Sequence, residues 1–402
     1  MAKKPLSDIL VIDMTRVLAG PYCTMILGDL GAEIIKVETP GVGDDARHFG
    51  PFLDAEGEKS AYFVSINCGK KSLTLNLKSD RGAGVLGDLI RKADVLVENY
   101  RPGTLERLGF SEERVKELNP SIVYATSSGF GYSGPDSTNA AYDMVIQSLS
   151  GLMSITGTED GQCVRVGSSI ADIVSGLYTT IGIVTALFRR SRSDEDQGAR
   201  IDVAMLDSAV SVLENAIARY QTAGKVPGPL GARHPSITPF EAFDTSDSTI
   251  VIAAGNDKLF RSLCEVFDLG ELADDPRFAT NARRTEHHGE LKTIINASLA
   301  AGTTDHWLDT FKTANVPCAK VNTIEDLFDY EQIEARNMLV PVEGAGGFKV
   351  AGSPVKFRGE GDVTTRACAP ELGEHNQQIL GELLGYSETD IQKLYETGAV
   401  AQ

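Results

Sequence analysis

The chain has 402 residues, of which 42% are hydrophobic and 23% charged, a composition typical of globular proteins. Its formal net charge of -18 argues against a nucleic-acid partner, because phosphate binding needs a basic surface. The six cysteines stand singly without a C-x-x-C pair, which favours neither a zinc site nor a redox motif, and the first residues lack the apolar region of a signal peptide.

The first part of the chain alternates short apolar strands with helices. "DILVIDMT" (8–15) is a predicted strand, "PYCTMILGDLGA" (21–32) a helix and "EIIKVET" (33–39) the next strand. The same order recurs through "KSLTLNL", "GAGVLGDLIRKA", "DVLVENY" and "SIVYATSSGF". Such alternation predicts a Rossmann-like α/β domain with a parallel sheet, whose ligands bind beyond the carboxyl ends of the strands.

A glycine pattern follows the last of these strands. "GFGYSGP" contains G-x-G-x-x-G at Gly129, Gly131 and Gly134. Pro135 and a polar stretch follow, with no immediate helix, so we reject a dinucleotide fingerprint. The glycines are interpreted as a loop whose backbone approaches a ligand closely.

The segment "GSSIADIVSGLYTTIGIVTALFRR" (167–190) is apolar and contains one acid, Asp172. It is too polar and too short for a confident membrane span, so we predict a buried core helix in a cytoplasmic protein with no membrane partner. Ser169 and Asp172 match a capping box, and an acid in the first turn is favoured by the helix dipole. The same position would keep the carboxylate ionised in an apolar pocket, ready to act as a nucleophile. From the pattern alone, both interpretations stay open.

The chain changes character after Arg190. We assign residues 1–200 to the N-terminal part of a large domain, 201–225 to a short strand and a long linking helix, and 226–325 to a smaller α/β domain. Residues 326–402 are predicted to return to the large domain and complete it. "KVPGPLGARHPSITPFEAF" supplies a proline- and glycine-rich linker into the smaller domain.

Six motifs in order resemble the family III CoA-transferases. They are "VLAGPYCTMILGDLGAEIIKVETPGVGDDAR", "NCGKKSLTLNL", "VENYRPGTLERLGF", "SSGFGYSGP", "AYDMVIQSLSGLMSITG" and "IADIVSGLY". The resemblance covers nearly the whole chain, and within the family the pattern is most similar to the succinyl-CoA:glutarate and related dicarboxylate transferases. It implies an intertwined homodimer, with CoA and acyl-CoA as substrates and no permanently bound cofactor or metal.

The resemblance implies that Asp172 attacks the acyl-CoA thioester, giving a mixed anhydride on the enzyme and then an aspartyl thioester. Two further positions separate branches of the family. Tyr142 stands where the related α-methylacyl-CoA racemases have a histidine base, which favours transfer over racemisation. Leu18 replaces the glutamine of oxalate-specific relatives, which argues against oxalate.

The resemblance also places cations near the bound substrates. Lys70, Lys71 and Arg101 lie in segments that line the CoA site, where phosphates need charged donors, and Tyr142 and Leu18 belong to the same predicted CoA-binding set. Thr39 departs from the arginine that commonly stacks on adenine in relatives. Arg47, Arg165 and His234 are candidates for the second carboxylate of the acceptor.

The acceptor itself stays open among glutarate, succinate, malate, itaconate, mesaconate and citramalate. Two alternatives to a transferase also stay open, namely a racemase-type epimerase and a protein that binds CoA thioesters without turnover. The intact Asp172 motif speaks against the second of these.

Overall fold

The computed structural model describes residues 4–193, 197–359 and 361–401. The chain forms two compact units. The first takes its residues from Met1–Leu152, Arg165–Gln221 and Glu331–Gln402, and the second from Met153–Val164 and Thr222–Tyr330. Each unit is built around its own hydrophobic core.

A six-stranded sheet forms the centre of the first unit. All its neighbouring strands pair in parallel, in the order β3-β2-β1-β4-β5-β6. This is the strand order of a Rossmann fold, which confirms the predicted parallel α/β architecture. The strands are β1 (Leu10–Asp13), β2 (Glu33–Glu38), β3 (Lys71–Thr74), β4 (Val95–Glu98), β5 (Val123–Ser128) and β6 (Ala199–Ala204).

The central strands are apolar throughout because both faces of the sheet are covered. Neighbouring residues of a strand point to opposite faces. Val11 and Val95 pack into the core on one face, while Ile12 and Leu96 pack into the core on the other. Continuous apolar runs of this kind are typical of parallel sheets.

Helices flank this sheet, and the longest of them runs from Ile170 to Ser191. That helix is also the one described helix that is long and apolar enough to cross a membrane by length and composition alone. Here it packs against the first helix and the strands β5 and β6, as predicted for a core helix. The helices are α1 (Ala19–Asp29), α2 (Ala61–Asn67), α3 (Asp80–Lys92), α4 (Thr104–Arg107), α5 (Glu112–Leu118), α6 (Asp143–Leu149), α7 (Ile170–Ser191), α8 (Met205–Ser211) and α9 (Ala216–Ala223).

Small residues bring α7 close to its neighbours. A Cβ atom at Gly176 would lie 2.7 Å from the carbonyl oxygen of Ala19, at the start of α1. The hydroxyl of Ser175, the residue before Gly176, lies 2.8 Å from the hydroxyl of Ser127 on β5. These contacts hold the first part of α7 against both α1 and the sheet.

The predicted long helix within 201–225 is wrong. The chain instead forms α8 and α9, two short helices that follow β6. Glu214 has φ 48, in the left-handed region, so the helical hydrogen-bond ladder cannot continue through it. Between the helices the backbone makes tight turns, with Leu213 N–H donating to Val210 O and Ala216 N–H to Leu213 O.

The second unit contains a three-stranded antiparallel sheet in the order β7-β8-β9. Its core includes Phe243, Phe260, Trp307 and Phe311. The elements are β7 (Phe240–Asp244), β8 (Thr249–Ala253), α10 (Asp257–Val266), α11 (Asn281–Glu286), α12 (His288–Leu299), α13 (Thr304–Thr313) and β9 (Cys318–Lys320).

One short segment lies in a different unit from the one we expected. Residues 153–164 were assigned to the large domain, but the structure places them with the second unit. The Gly157 carbonyl accepts a 3.0 Å hydrogen bond from Gly231 N–H, and Glu159 pairs with Lys292 at 3.0 Å. These long-range contacts were invisible in the local sequence pattern.

The C-terminal segment returns to the first unit. It contains α14 (Glu331–Ala335), the β10–β11 hairpin (Leu339–Pro341 and Lys349–Ala351), α15 (Asn376–Gln378) and α16 (Glu388–Glu396), with a π-helical turn at Ile379–Leu383. The Asn376 side chain accepts from Thr74 N–H at 2.9 Å and so binds the edge strand β3. Leu380, Leu394 and Val400 enter the same core as Ile12 and Leu96.

Candidate active site

A pocket of about 660 Å³ lies at the carboxyl edge of the parallel sheet, within the first unit. Its walls come from the loops that follow β1 and β2 and from the N-terminal ends of α2, α6 and α7. This is the edge at which parallel sheets bind ligands. The lining residues are Val17, Asp45, His48, Phe49, Tyr62, Tyr142, Asp143, Met144, Arg165, Ser169 and Asp172.

Asp172 lies in the first turn of α7 and faces this pocket. The predicted helix start at Ser169 is confirmed, but the predicted capping box is not. The Ser169 side chain makes no cap hydrogen bond. Within the described residues, no group donates a hydrogen bond to the Asp172 carboxylate, which is half-buried.

A different side chain caps α7. The Asp143 carboxylate accepts a 2.9 Å hydrogen bond from the backbone N–H of Ala171, the residue before Asp172. Its other oxygen accepts from the Gln147 amide at 2.7 Å. Asp143 and Gln147 are four residues apart on α6 and therefore share one face of that helix. Asp143 thus fixes the N-terminus of α7 from a neighbouring helix.

The charge state of Asp172 also differs from the expectation. Burial and the nearby Asp143 carboxylate raise the pKa of Asp172 to about 7. The helix terminus does not outweigh these two effects, because two acids share one partly dry pocket. Burial and the Asp172 charge likewise raise the pKa of the Tyr62 phenol to about 12, so that phenol keeps its proton. A carboxyl with a pKa near neutrality is typical of a reactive group.

Two side chains in the lining can carry positive charge. Arg165 is exposed and, among the residues that the structure describes, donates only to the carbonyl of its neighbour Val166, at 3.2 Å. His48 is exposed, with Nε2 3.2 Å from the Val42 carbonyl oxygen. Asp45 lies beside them but is already paired with Arg16. The predicted Arg165 therefore faces the pocket with its guanidinium available to an anion.

Tyr142 lines this pocket, and Leu18 is adjacent in the chain to another lining residue. Tyr142 precedes α6, and 74% of its surface is exposed at the pocket. Leu18 directly follows Val17, a lining residue whose φ of 65 is rare for a β-branched side chain. Asp44 holds this backbone by accepting from Val17 N–H at 3.0 Å.

Lys70 does not fill the role we predicted. Its ammonium group is buried and donates to Asp13, Thr24, Asn67 and the Pro21 carbonyl, at 2.8 to 3.1 Å. A lysine has three N–H donors, so this set of oxygens satisfies it completely. Lys70 is a structural residue and is not free to hold a CoA phosphate.

Arg47 is also committed elsewhere. Its guanidinium makes a bidentate pair with Glu38, with both N–O distances 2.8 Å, and lies 3.8 Å above the Phe63 ring. It lines a separate small cleft with Lys59 and Glu371, and not the Asp172 pocket. The prediction of Arg47 as a spare cation for an acceptor carboxylate is therefore corrected.

The remaining predicted cations are not among the residues that line the Asp172 pocket. Lys71 begins β3, at the amino edge of the sheet, and pairs with Glu33 at 2.7 Å. Arg101 follows β4 at the carboxyl edge; it is exposed and makes no side-chain ion pair within the described residues, so it stays a candidate for CoA phosphates. His234 belongs to the second unit, where it packs against Phe240.

Sequence reasoning missed His48, Tyr62 and the Asp143–Gln147 pair. Asp143 and Gln147 have an i, i+4 spacing that could have been found, but nothing in the sequence showed what they face. Among the described residues, no group of three or more His, Cys, Asp or Glu side chains could hold a metal ion. The pocket therefore offers one unpartnered carboxyl, two tyrosines and two possible cations, which suits nucleophilic chemistry on an anionic substrate.

Comparison with known proteins agrees with this geometry. A sequence profile described as CoA-transferase family III matches residues 6–376. An acetyl-CoA:oxalate CoA-transferase from Acetobacter aceti is 42% identical over 381 residues, covering 94% of this chain and 96% of that protein. A succinyl-CoA:glutarate CoA-transferase from Mus musculus is 39% identical over 402 residues, covering 99% of this chain and 91% of that protein.

The fold has a solved counterpart as well. The crystal structure of a CAIB/BAIF family protein from Brucella suis superposes with a TM-score of 0.84 at 36% sequence identity. The match covers 95% of this chain and 100% of that one.

Proposed function

The chain belongs to CoA-transferase family III, and from that premise we propose that it transfers CoA from succinyl-CoA to a free dicarboxylate, with Asp172 as the nucleophile. The observation behind this proposal is the Asp172 carboxyl, which has no partner within the described residues and faces a pocket that also holds Arg165. A carboxylate becomes an effective nucleophile only when it is fixed and partly desolvated.

The reaction proceeds in four balanced steps. The Asp172 carboxylate attacks the thioester carbonyl, forming a mixed anhydride and releasing CoA thiolate. The thiolate attacks the aspartyl carbonyl, forming an aspartyl-CoA thioester and releasing succinate. The acceptor carboxylate then displaces the thiolate to form a second anhydride. Attack of the thiolate on the acceptor carbonyl yields the new CoA ester and regenerates Asp172.

The pocket residues have separate roles in these steps. The Tyr62 phenol keeps its proton to high pH and can donate a hydrogen bond to an oxyanion that forms beside Asp172. Arg165 can bind the distal carboxylate of a dicarboxylate, since a guanidinium matches a carboxylate in a bidentate pair. Arg101, beyond β4, can contact a CoA phosphate.

Oxalate is the second candidate acceptor. Leu18 speaks against it, but the acetyl-CoA:oxalate relative is 42% identical to this chain. The test incubates the protein with either succinyl-CoA or acetyl-CoA and a panel of oxalate, succinate, glutarate, malate, itaconate, mesaconate and citramalate, and identifies CoA esters by mass. Transfer to a dicarboxylate larger than oxalate supports the proposal. Transfer to oxalate alone favours the second candidate, and exchange of solvent deuterium into a 2-methylacyl-CoA without transfer contradicts both.

The protein is further proposed to act as an intertwined homodimer in the cytoplasm. Leu177, Ile181, Val184 and Phe188 form an exposed apolar stripe along α7, at helical spacing. A second copy of the chain would cover this surface, with residues 225–239 and 323–338 as the linkers that pass around the partner. Mixing tagged and untagged protein tests the interlock, because interlocked subunits exchange only by unfolding, and rapid exchange would contradict it.

A further inference from the structure

Gln147 is a buried polar residue that connects three parts of the chain around Asp172. It is fully buried in α6 and does not line the pocket. Its amide oxygen accepts a 2.9 Å hydrogen bond from Val166 N–H, and its amide nitrogen donates to Asp143 at 2.7 Å. Asp143 in turn accepts from Ala171 N–H.

These three hydrogen bonds fix both ends of the segment that leads into the nucleophile. Val166 and Ala171 bound that segment, and Asp172 follows directly. Gln147 uses its amide oxygen and one of its two N–H donors, and both Asp143 oxygens act as acceptors. An ionised carboxylate at position 147 has no donor and could not make the bond to Asp143.

We propose that Gln147 is a positioning residue for Asp172, holding the Asp143 charge beside the nucleophile and thereby setting the pH range in which the thioester is attacked. This inference rests on the proposed role of Asp172. Gln147 acts through Asp143 and does not itself touch the substrate.

Asp143 is the acid that matters here because its hydrogen-bond donors are neutral and, within the described residues, it forms no ion pair. Burial contributes most to the raised pKa of Asp172, and the Asp143 carboxylate contributes next. The other titratable groups facing the pocket come from the segment after β2, from α2, from the residue before α6 and from the segment before α7. They are Asp45, which is paired with Arg16, together with His48, Tyr62, Tyr142 and Arg165.

The test measures the first half-reaction, without any acceptor. Protein is mixed with succinyl-CoA between pH 5 and 9, and the initial rate of covalent adduct formation is followed by intact mass. The wild-type rate should fall as the pH drops through about 7, where Asp172 takes up a proton. If the wild-type protein forms no adduct at any pH, the proposed function fails, which is distinct from a failure of this inference.

Two single variants should move the acidic limb of the pH–rate profile, the range in which the rate falls as the pH drops, in opposite directions. Asp143→Asn removes the charge and should shift the limb to lower pH by roughly one unit. Gln147→Glu adds an acid beside Asp143 and should shift it to higher pH by a similar amount. A residue that only supports the fold would lower the rate without such opposite shifts.

The double variant Asp143→Asn with Gln147→Glu provides the matched control. It exchanges donor and acceptor, so an amide at 143 and a carboxylate at 147 can form the same three hydrogen bonds. It should recover most of the thermal stability lost by the single variants, while the limb stays below pH 7 because the charge has moved out of the pocket lining. Limbs at the wild-type position in all three variants would overturn the inference.

Discussion

Two carboxyl groups at the same edge of the sheet have opposite surroundings. Asp13, at the end of β1, is fully buried and accepts hydrogen bonds from Lys70 and from the hydroxyls of Thr15 and Thr24. Burial alone would raise the pKa of Asp13, but the charges of Lys70 and Lys36 outweigh it and hold the pKa well below its usual range. Asp172 is buried less, has no partner within the described residues, and has a raised pKa.

The comparison shows that the partners, and not the depth of burial, separate a structural acid from a reactive one. Lys36 also forms an ion pair with Asp44 at 2.8 Å. Asp44 in turn accepts a hydrogen bond from the backbone of Val17 in the pocket wall. The fully paired charges thus support the wall, and the unpaired carboxyl faces the pocket. Four predictions test this distinction.

Asp172→Asn should have the largest effect. An amide cannot form the anhydride, so we expect transfer to fall at least about a thousandfold, as measured by the rate of CoA ester formation. Asp207→Asn is the control, because Asp207 also lies in the first turn of a helix but is exposed and outside the pocket. Activity of Asp172→Asn above a few per cent of wild type would contradict the nucleophile assignment.

Lys70→Met should act on stability and not on chemistry alone. It leaves the buried Asp13 carboxylate without its main counter-charge, which should lower the free energy of unfolding by about 3–5 kcal/mol. Urea denaturation measures this change. The adjacent Lys71→Met removes a partly exposed pair with Glu33 and should cost less than about 1 kcal/mol. If both variants lose the same free energy of unfolding, Lys70 is not more important than Lys71 for stability, and the prediction is wrong.

Arg165→Ala should raise the KM of the dicarboxylate acceptor by roughly ten- to a hundredfold, because a charge-assisted contact is worth about 1.5–3 kcal/mol. The KM of succinyl-CoA should change less in this variant. Arg165→Lys tests the bidentate geometry, since it keeps the charge and loses the fork. Arg101→Ala should show the reverse pattern, with a larger effect on the CoA ester, and equal effects of both arginines on both substrates would refute their separate roles.

The smallest predicted effect is the change in the free energy of unfolding caused by the Asp172 carboxyl. The pKa of Asp172 is higher in the folded state than in the unfolded chain, so the folded state binds the extra proton and stability falls as pH rises from about 4 to 7. At pH 8 the free energy of unfolding of Asp172→Asn, measured by urea denaturation, should therefore exceed that of the wild type by about 1–2 kcal/mol, after allowance for partial exposure. The gap should close at pH 4, and a gap that does not depend on pH would remove titration as its cause.

The sequence predicted those features that depend on local pattern. Strand and helix alternation was enough for the parallel sheet, and the apolar run after Asp172 was enough for the start and length of α7. Lys70 and Arg47 were misassigned because the sequence shows that a residue is basic but not whether its partner is a substrate phosphate or a buried acid. Asp13 and Glu38 are 57 and 9 residues away from them, and nothing local shows which pairs will meet.

The same limit explains the two segments that differ from expectation. The helical pattern of residues 205–223 did not reveal the break at Glu214, where φ is 48. The cap on α7 comes from Asp143, whereas Ser169 was the local candidate. At the α7 cap, a residue distant in sequence thus takes the place of the neighbouring serine.

The return of the C-terminal segment has a consequence for synthesis on the ribosome. Leu380, Leu394 and Val400 complete the core that begins with Ile12, yet Thr222–Tyr330, the larger part of the second unit, is translated before them and after most of the first unit. At about 5–20 residues per second, residues 222–379 take roughly 10 to 30 seconds to emerge. During that interval this face of the nascent sheet is covered only by earlier elements, including the helices α3 and α5, so we expect the newborn chain to need a chaperone between its first 221 residues and its last helix.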